Sequence, residues 1–421
     1  MNLAKSVDPL PASNRHIGFD CVRVAAAIMV VYLHACVPYL VHPMPGLVWT
    51  VVDQPSVVCD LLFWAIEIVV MPMFLVVSGF FTYQAYQRSN GLAFIRSRSR
   101  RLLRPLAFAM VILLPIDLYV WMLGLIASGH MTMAKLKSLK VPPPFGDHLW
   151  GTSHLWFLVY VFSYATVFAI VAMWVRRPIA MKWRMVARRA SITAVAGIGV
   201  SVLFLRPEVV FGFQHSFFPV PSKWIYSGSF FAGGVVLAVF DANLRTIDRF
   251  AFRHVSLGAC LIVASVMLGR WTIASSADRD ASTAGTSFVP IALATMTTGA
   301  AWLVTLGFLG VANRLRELIS ARPSLDRSIG YLAAASFWIY LVHHPVIGLV
   351  HIDLAFWAPQ LGPMTKSLVA LGATLTWSLA SYHWLIRGTA MGRWIGVDSS
   401  VVPSTAMPNE PIEEQGRRAA A

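Results

Sequence analysis

Long, largely uncharged apolar runs divide the chain, and short charged connections separate them. Ten runs are about 20 residues long, which is the length of helix that crosses a hydrocarbon core. They cover residues 17–38, 57–83, 105–127, 154–175, 190–205, 224–240, 254–273, 288–312, 328–352 and 366–387. The pattern predicts an all-α, polytopic integral membrane protein with about ten transmembrane helices.

The apolar runs leave little sequence for a separate soluble domain. We expect a cytoplasmic N-terminal segment at residues 1–16, one transmembrane domain at 17–395 and a disordered cytoplasmic tail at 396–421, which is rich in Ser, Pro and Glu. The first run has no small-residue cleavage site after a short core, so we interpret it as a retained helix and not as a removed signal peptide.

Composition supports the membrane interpretation. Hydrophobic residues make up 57% of the chain and charged residues 13%, with a mean hydropathy of +0.65. Soluble domains carry about 25% charged residues, so the class of ordinary soluble enzymes is excluded. The four cysteines lie within or beside apolar runs and show neither metal-ligand spacing nor a disulfide framework.

The distribution of basic residues predicts the orientation. The net charge is +15, but the basic residues lie between apolar runs and form no single basic face, which argues against a nucleic-acid partner. Of the 34 basic residues, 24 lie at the termini or on the even-numbered connections and six on the opposite side. This asymmetry predicts a multi-pass plasma (inner) membrane protein with both termini in the cytoplasm.

Ionisable residues within the first two runs are candidates for function, because such groups are expensive inside a bilayer. Arg23 and His34 are 11 residues apart, so they project from one helix face about 16 Å apart along the axis. Arg23 then lies in the cytoplasmic half and His34 in the outer half. Glu67 lies near mid-depth in the second run. A snorkelling arginine and a hydrogen-bonded structural histidine are the alternative interpretation.

A run of arginines follows the second apolar run. Arg101 and Arg104 are three residues apart and share a face if the segment is helical. Guanidinium groups bind phosphate oxygens in a bidentate manner, so a phosphate site is one interpretation. A positive anchor at the cytoplasmic surface is the other.

The ninth run carries a polar stripe. Ser336, Tyr340 and His344 follow one another at intervals of four residues, and His343 adjoins them. Adjacent helical residues point about 100° apart, so the two histidines cannot chelate one metal as an i, i+4 pair does. We predict no metal site, and a hydrogen-bonded structural pair remains the alternative to a functional one.

Two further candidates open the fourth run on the outer side. His154 and Trp156 lie at the outer end of that run. The alternative for Trp156 is the aromatic belt that forms at membrane interfaces. Asp117, an acid at mid-depth in the third run, has no role that the sequence pattern assigns.

Four segments in order resemble the membrane acyltransferase-3 family. The first run is similar to the first helix of that family, in which ten residues separate an Arg from a His. The later matching segments are FLVVSGFF, RRLLRP and SFWIYLVHHPV. HLWFL at the fourth run looks most like the glucan biosynthesis protein C branch, which is linked to succinylation of periplasmic glucans.

The resemblance implies an O-acyltransferase that moves an acetyl or succinyl group from cytoplasmic acyl-CoA to a hydroxyl of an extracytoplasmic glycan. Arg101 and Arg104, with help from Arg23, would hold the phosphates of acyl-CoA. His34 would act as a neutral general base, and Glu67 would orient it or hold its developing charge. Acyl-CoA is then a co-substrate, and no bound cofactor is implied.

Two other classes remain open from the residues alone. A secondary transporter or sugar-lipid flippase would show helices broken at matching positions in its two halves and would bind no acyl-CoA. A structural or regulatory membrane protein would use the polar residues only for helix packing. The sequence does not indicate the oligomeric state.

Overall fold

The computed structural model describes residues 16–89, 91–136, 145, 149, 151–175, 184–213, 216–276 and 288–396. Within these ranges the chain is helical and contains no β-strand, which confirms the all-α fold class. Residues 1–15 and 397–421 lie outside the described residues, and so do nearly all of the predicted N-terminal segment and tail.

The described helices follow the apolar runs. They are α1 Ile17–Cys36, α2 Val57–Gln87, α3 Gly91–Phe108, α4 Leu114–Ala127, α5 Trp156–Trp174, α6 Arg184–Leu205, α7 Glu208–Phe211, α8 Pro221–Phe240, α9 Arg245–Ser276, α10 Val289–Ser320, α11 Pro323–Trp357, α12 Pro363–Ser381 and α13 Ala390–Ile395. Short 3-10 turns are Val37–Tyr39, Met133–Leu136 and Ser153–Leu155, and π turns are Ala109–Leu113 and Tyr382–Ile386.

Nine helical segments in the described part of the chain are long and apolar enough to cross a membrane. They correspond to the first nine predicted spans, and the third one joins α3 to α4 through the π turn at Ala109–Leu113. The tenth predicted span is also helical, as α12, but it is not among the nine. Its inner face is polar, because Ser367, Thr374 and Ser378 are all fully buried.

Local signals explain where several helices begin. Ser56 caps α2 by accepting a hydrogen bond from the backbone N–H of Cys59 at 3.4 Å. Proline occupies the first turn of α8, α11 and α12, where the missing N–H has no intrahelical partner to lose.

Glycines allow a close approach between α2 and α8. A Cβ atom on Gly79 would overlap the carbonyl oxygen of Phe231, and one on Gly234 would overlap that of Val76. Small residues that let backbones meet are typical of helix interfaces in membranes. This contact fixes α8 against the middle of α2.

The most enclosed helix is α11. In the most apolar window of this segment, 72% of the residues are buried inside the protein, against 11% for α6. Helices α1, α4 and α12 pack around α11. Ser336, His343 and His344 of α11 are therefore held among other helices, whereas polar residues nearer its ends, such as Arg327 and Asp353, are exposed.

Candidate active site

Imidazole rings from three parts of the chain meet in one group, the histidine cluster. His34 comes from α1, His154 from the turn before α5, and His343 and His344 from α11. The centroid of the His34 ring lies 5.0 Å from that of His343 and 5.2 Å from that of His344. His154 lies 5.3 Å and 4.7 Å from the same two rings. Four residues predicted separately thus occupy one place.

His34 differs from the other members of the histidine cluster in its exposure. Its Nδ1 lies 2.8 Å from the carbonyl oxygen of Val30. A carbonyl oxygen only accepts hydrogen bonds, so Nδ1 carries the proton and Nε2 keeps its lone pair. The ring stacks against Trp49 at 5.7 Å. His34 is partly exposed, whereas the other three histidines are at most 7% exposed, so His34 is the member that a substrate can reach.

Asp117 of α4 supplies a carboxylate to the cluster. Its Oδ1 lies 2.8 Å from His344 Nδ1, and its Oδ2 accepts a hydrogen bond of 3.0 Å from Ser153 Oγ. The His344 ring is stacked between Trp121, at 4.5 Å, and His154, at 4.7 Å. The orientation of the His344 imidazole is therefore fixed from both faces and through Nδ1.

A strained turn carries His154 into the cluster. Ser153 has φ +49°, in the left-handed region that residues other than glycine rarely adopt. The Tyr340 hydroxyl donates to the carbonyl oxygen of His154 at 2.6 Å, and His154 Nε2 donates to that of Leu341 at 3.0 Å. Two bonds to α11 thus hold the strained conformation, and Tyr340 forms one of them.

His343 retains an unused acceptor inside the protein. Its Nδ1 lies 3.1 Å and 2.9 Å from the carbonyl oxygens of Ile339 and Tyr340, so Nδ1 is the protonated nitrogen. Its Nε2 is buried and has no hydrogen-bond partner among the described residues. Native proteins satisfy nearly all such atoms, which makes this lone pair a candidate for substrate contact.

Asp117, His154 and His344 also satisfy the distance criterion for a metal site. One possible ligand atom from each lies within 4.8 Å of the others. Hydrogen bonds already occupy part of these groups, because His344 bonds to Asp117 and His154 Nε2 donates to the backbone carbonyl oxygen of Leu341. Sequence spacing indicated no metal site, and it could not reveal this grouping, which draws on three separate segments.

Arg23 lies at the other end of the α1–α11 contact. Its Nη2 donates to the carbonyl oxygen of Ala333 at 3.1 Å and to Ser336 Oγ at 3.3 Å, and its Nη1 lies 3.6 Å from Asp20 Oδ1. Arg23 and His34 therefore both meet α11, as their 11-residue spacing predicts. The polar stripe of α11 faces them, with Ser336 at one end and the two histidines at the other.

Further arginines lie beside Arg23. The guanidinium group of Arg101 is close enough to interact electrostatically with Arg23 and with Arg98. Arg98 is committed to the carbonyl oxygen of Phe81 at 3.1 Å. Arg101 and Arg104 are exposed and form no hydrogen bond or ion pair with another described residue. They are available to an anion.

Glu67 lies outside the histidine cluster, which corrects the expectation that it orients His34. It belongs to the face of α2 that packs against α8, where it lines a pocket with Lys223 and Trp156. Its charged neighbour there is Lys223. The carboxylate that contacts a histidine of the cluster is Asp117, and Trp156 shares the pocket of Glu67.

Three residues at the histidine cluster or in the Glu67 pocket were missed by the sequence pattern. Trp49 and Trp121 pack on His34 and His344, and a tryptophan in a connection or an apolar run carries no distinguishing signal. Lys223 falls just before the predicted sixth span, so it was counted as a loop residue. Asp117 did carry a signal, since it is an acid inside an apolar run, but its partners come from distant segments.

A bundle of membrane-spanning helices around a histidine cluster, with arginines at the far end, defines a multi-pass membrane protein with an internal polar site. The family model described as an acyltransferase domain matches residues 16–383, nearly the whole chain. The chain therefore belongs to the acyltransferase-3 family, and it is a membrane acyltransferase. No curated protein and no solved structure matches it.

Proposed function

We propose that this protein is an integral membrane O-acyltransferase that moves an acetyl or succinyl group from cytoplasmic acyl-CoA to a hydroxyl of an extracytoplasmic glycan. The observation that carries the proposal is His34, whose Nε2 keeps a lone pair in a partly exposed position against His343 and His344, and His344 in turn contacts Asp117. The similarity of HLWFL to the glucan biosynthesis protein C branch favours a glucan acceptor.

The donor binds at the arginine end. Arg101 and Arg104 carry guanidinium groups that bind phosphate oxygens, and Arg23 adds a third positive charge next to Arg101. The positive-inside rule puts this end and both termini in the cytoplasm of a cell with an inner membrane. Arg23 and His34 are about 16 Å apart along α1, which the pantetheine arm of coenzyme A spans.

The reaction at the outer end is a proton transfer coupled to acyl transfer. Nε2 of His34 takes the proton from the acceptor hydroxyl while the hydroxyl oxygen attacks the thioester carbonyl carbon. The new carbon–oxygen bond forms, the carbon–sulfur bond breaks, and the imidazolium returns the proton to the thiolate of coenzyme A. The products are an O-acyl ester and free coenzyme A thiol.

Asp117 takes the electrostatic role that the sequence assigned to Glu67. When His34 accepts a proton, a positive charge develops inside the helix bundle, where charge is costly. A carboxylate bonded to the neighbouring His344 lowers that cost, as the carboxylate of a catalytic triad does for its histidine. His154, His343 and Tyr340 hold this arrangement in place.

The test is a transfer assay with membrane vesicles that contain the protein. Vesicles receive acetyl-CoA or succinyl-CoA labelled with ¹³C in the acyl group, together with glucan oligosaccharides. Mass spectrometry should show one labelled acyl ester on the oligosaccharide for each thiol released, with one donor preferred. Thiol release without ester, or no reaction with either donor and any glycan, would contradict the proposal. Vesicles with His34→Ala provide the background.

A further inference from the structure

A second polar pocket lies between α2, α5 and α8, apart from the histidine cluster. Its polar and aromatic lining comes from Glu67, Trp156, Lys223, Tyr226, Ser227 and Phe230, and aliphatic side chains complete it. Its volume is ≈ 30 Å³. One water molecule needs about 10–15 Å³ by this measure, so the pocket accommodates about two oxygen-sized groups.

Lys223 is held in this pocket without a hydrogen bond. Its side chain is 9% exposed, and its Nζ lies 4.1 Å from the centroid of the Trp156 ring and 5.9 Å from that of Phe213. The two rings stabilise the ammonium group by cation–π contact. Its three N–H groups have no hydrogen-bond acceptor among the described residues.

Glu67 and Tyr226 leave further bonding capacity unused around the same pocket. The Glu67 carboxylate interacts electrostatically with Lys223, but the two groups form no ion pair within 4.0 Å and Glu67 has no hydrogen-bond donor in the described part of the chain. The Tyr226 hydroxyl is buried without a partner. Charged groups and hydroxyls inside a protein are normally paired. The unpaired Lys223 and Tyr226, beside a partly exposed Glu67 that is also unpaired, therefore indicate a ligand with several hydroxyl groups.

We propose that this pocket binds a vicinal diol of the sugar that accepts the acyl group. One hydroxyl donates to the Glu67 carboxylate, and the oxygen of its neighbour accepts from Lys223 and Tyr226. A neutral diol suits an adjacent acid and base, whereas an anionic ligand would be repelled by Glu67. The volume fits two hydroxyl groups at the edge of a ring, with the rest of the sugar outside the pocket.

The position of the pocket agrees with an acceptor site. Trp156 lies two residues after His154 of the histidine cluster, so α5 connects the two places. Val209 and Val210 of α7 also line the pocket. The charge pattern predicts that the connection containing α7 lies on the outer side of the membrane. The inference rests on the proposed function, since it gives that reaction its acceptor-binding residues.

Steady-state kinetics of the full-length protein in membrane vesicles test the proposal. Glu67→Gln and Lys223→Met should each raise the KM for the glucan oligosaccharide about tenfold, the effect of losing one charge-assisted hydrogen bond, with kcat within about threefold and the donor KM unchanged. Tyr226→Phe should raise the acceptor KM about threefold and fold normally, because its hydroxyl has no partner to lose.

Lys366→Met is the matched control. Lys366 is also buried, but it is paired with Asp53 at 2.7 Å, so its loss should lower thermal stability and leave the acceptor KM unchanged. Unchanged acceptor KM in Glu67→Gln and Tyr226→Phe, or a fall in kcat alone, would overturn the diol site.

Equilibrium dialysis separates this inference from the proposed reaction, because binding needs no turnover. Detergent-solubilised wild type should bind radiolabelled glucan oligosaccharide, and Lys223→Met should bind it about tenfold more weakly. Oligosaccharides in which hydrogen replaces one hydroxyl of the diol should bind to wild type more weakly than the unmodified oligosaccharide does. These deoxy oligosaccharides should bind equally to wild type and to Lys223→Met. If wild type transfers acyl groups but binds the oligosaccharide no better than the variants do, the diol site is refuted and the proposed reaction is not. If wild type binds the oligosaccharide but transfers no acyl group, the proposed reaction is refuted and the diol site is not.

Discussion

The two ends of the α1–α11 contact use opposite kinds of polar chemistry. At one end His34 meets His343 and His344, and the rings are fixed by carbonyl oxygens, by Asp117 and by stacking on tryptophans. Most polar atoms there have partners inside the protein. A group held in one orientation, with one nitrogen left for a substrate, suits proton transfer.

At the other end the side chains are cationic and less committed. Arg23 is bonded to α11, but Arg101 and Arg104 are exposed, and no described residue forms a hydrogen bond or ion pair with either. Exposed guanidinium groups suit a multiply charged ligand that arrives from water. The difference supports the proposal that one end binds the donor and the other end carries out the chemistry, with α1 connecting the two.

The largest expected effect is the loss of turnover on changing His34. His34→Ala and His34→Gln should each lower kcat for acyl transfer by about 10²–10⁴-fold, the contribution of a positioned general base. Donor KM should stay within about threefold, because the arginine end is intact. Initial rates of labelled ester formation at saturating donor and acceptor give this measurement.

His383→Gln is the control for His34, since this exposed histidine lies outside the cluster and its variant should keep full activity. Either His34 variant with near wild-type kcat, at equal expression in the membrane, would rule out the general-base role.

Next in size is the effect of Asp117. Asp117→Asn should lower kcat by about 10²-fold, because the amide keeps the shape but removes the charge that supports the imidazolium. Asp353→Asn, at an exposed position on α11, should have no effect. If Asp117→Asn retains the wild-type kcat, the Asp117 carboxylate has only a structural role.

A smaller effect is expected at the arginine end, and in a different constant. Arg101→Ala and Arg104→Ala should each raise the KM for acyl-CoA about tenfold, as the loss of a charge-assisted contact predicts, with kcat nearly unchanged. Lysine at either position should rescue only part of the loss, because the fork geometry of the guanidinium is missing. Arg96 is an exposed arginine on the same helix, and Arg96→Ala should leave the KM for acyl-CoA unchanged. If Arg96→Ala raises this KM as much as the other two variants do, the arginines only set the orientation of the protein in the membrane.

The smallest effect should follow metal removal. The proposed mechanism uses imidazole and carboxylate groups only, so dialysis against EDTA should leave kcat unchanged within error. If EDTA abolishes activity and Zn²⁺ restores it, the general-base account is wrong and the site is a metal centre. Its ligands would be Asp117, His154 and His344, whose possible ligand atoms lie within 4.8 Å of one another.

The fold could be predicted from the sequence because the membrane imposes strong rules. An apolar run of about 20 residues must be a helix in lipid, and the predicted runs are all helical in the structure. The exception in hydropathy is α12, where buried Ser367 and Thr374 face other helices. Hydropathy measures the whole helix, so it cannot distinguish a polar inner face from exposure to water.

The candidate site could be predicted only where its residues share one helix. Spacing along α1 placed Arg23 and His34 on one face, and the structure agrees. The partner of each group depends on which helices pack together. For that reason the sequence chose Glu67 as the carboxylate, whereas Asp117 of α4 bonds His344.

A sidedness assay tests the central claim, that acyl-CoA and acceptor meet from opposite sides of the membrane along α1. Sealed inverted vesicles, with the cytoplasmic face outward, receive labelled acyl-CoA outside and carry a glucan oligosaccharide trapped inside. We predict labelled ester on the trapped oligosaccharide, dependent on His34, and none on oligosaccharide added outside. Transfer only when donor and acceptor share one compartment would contradict the account.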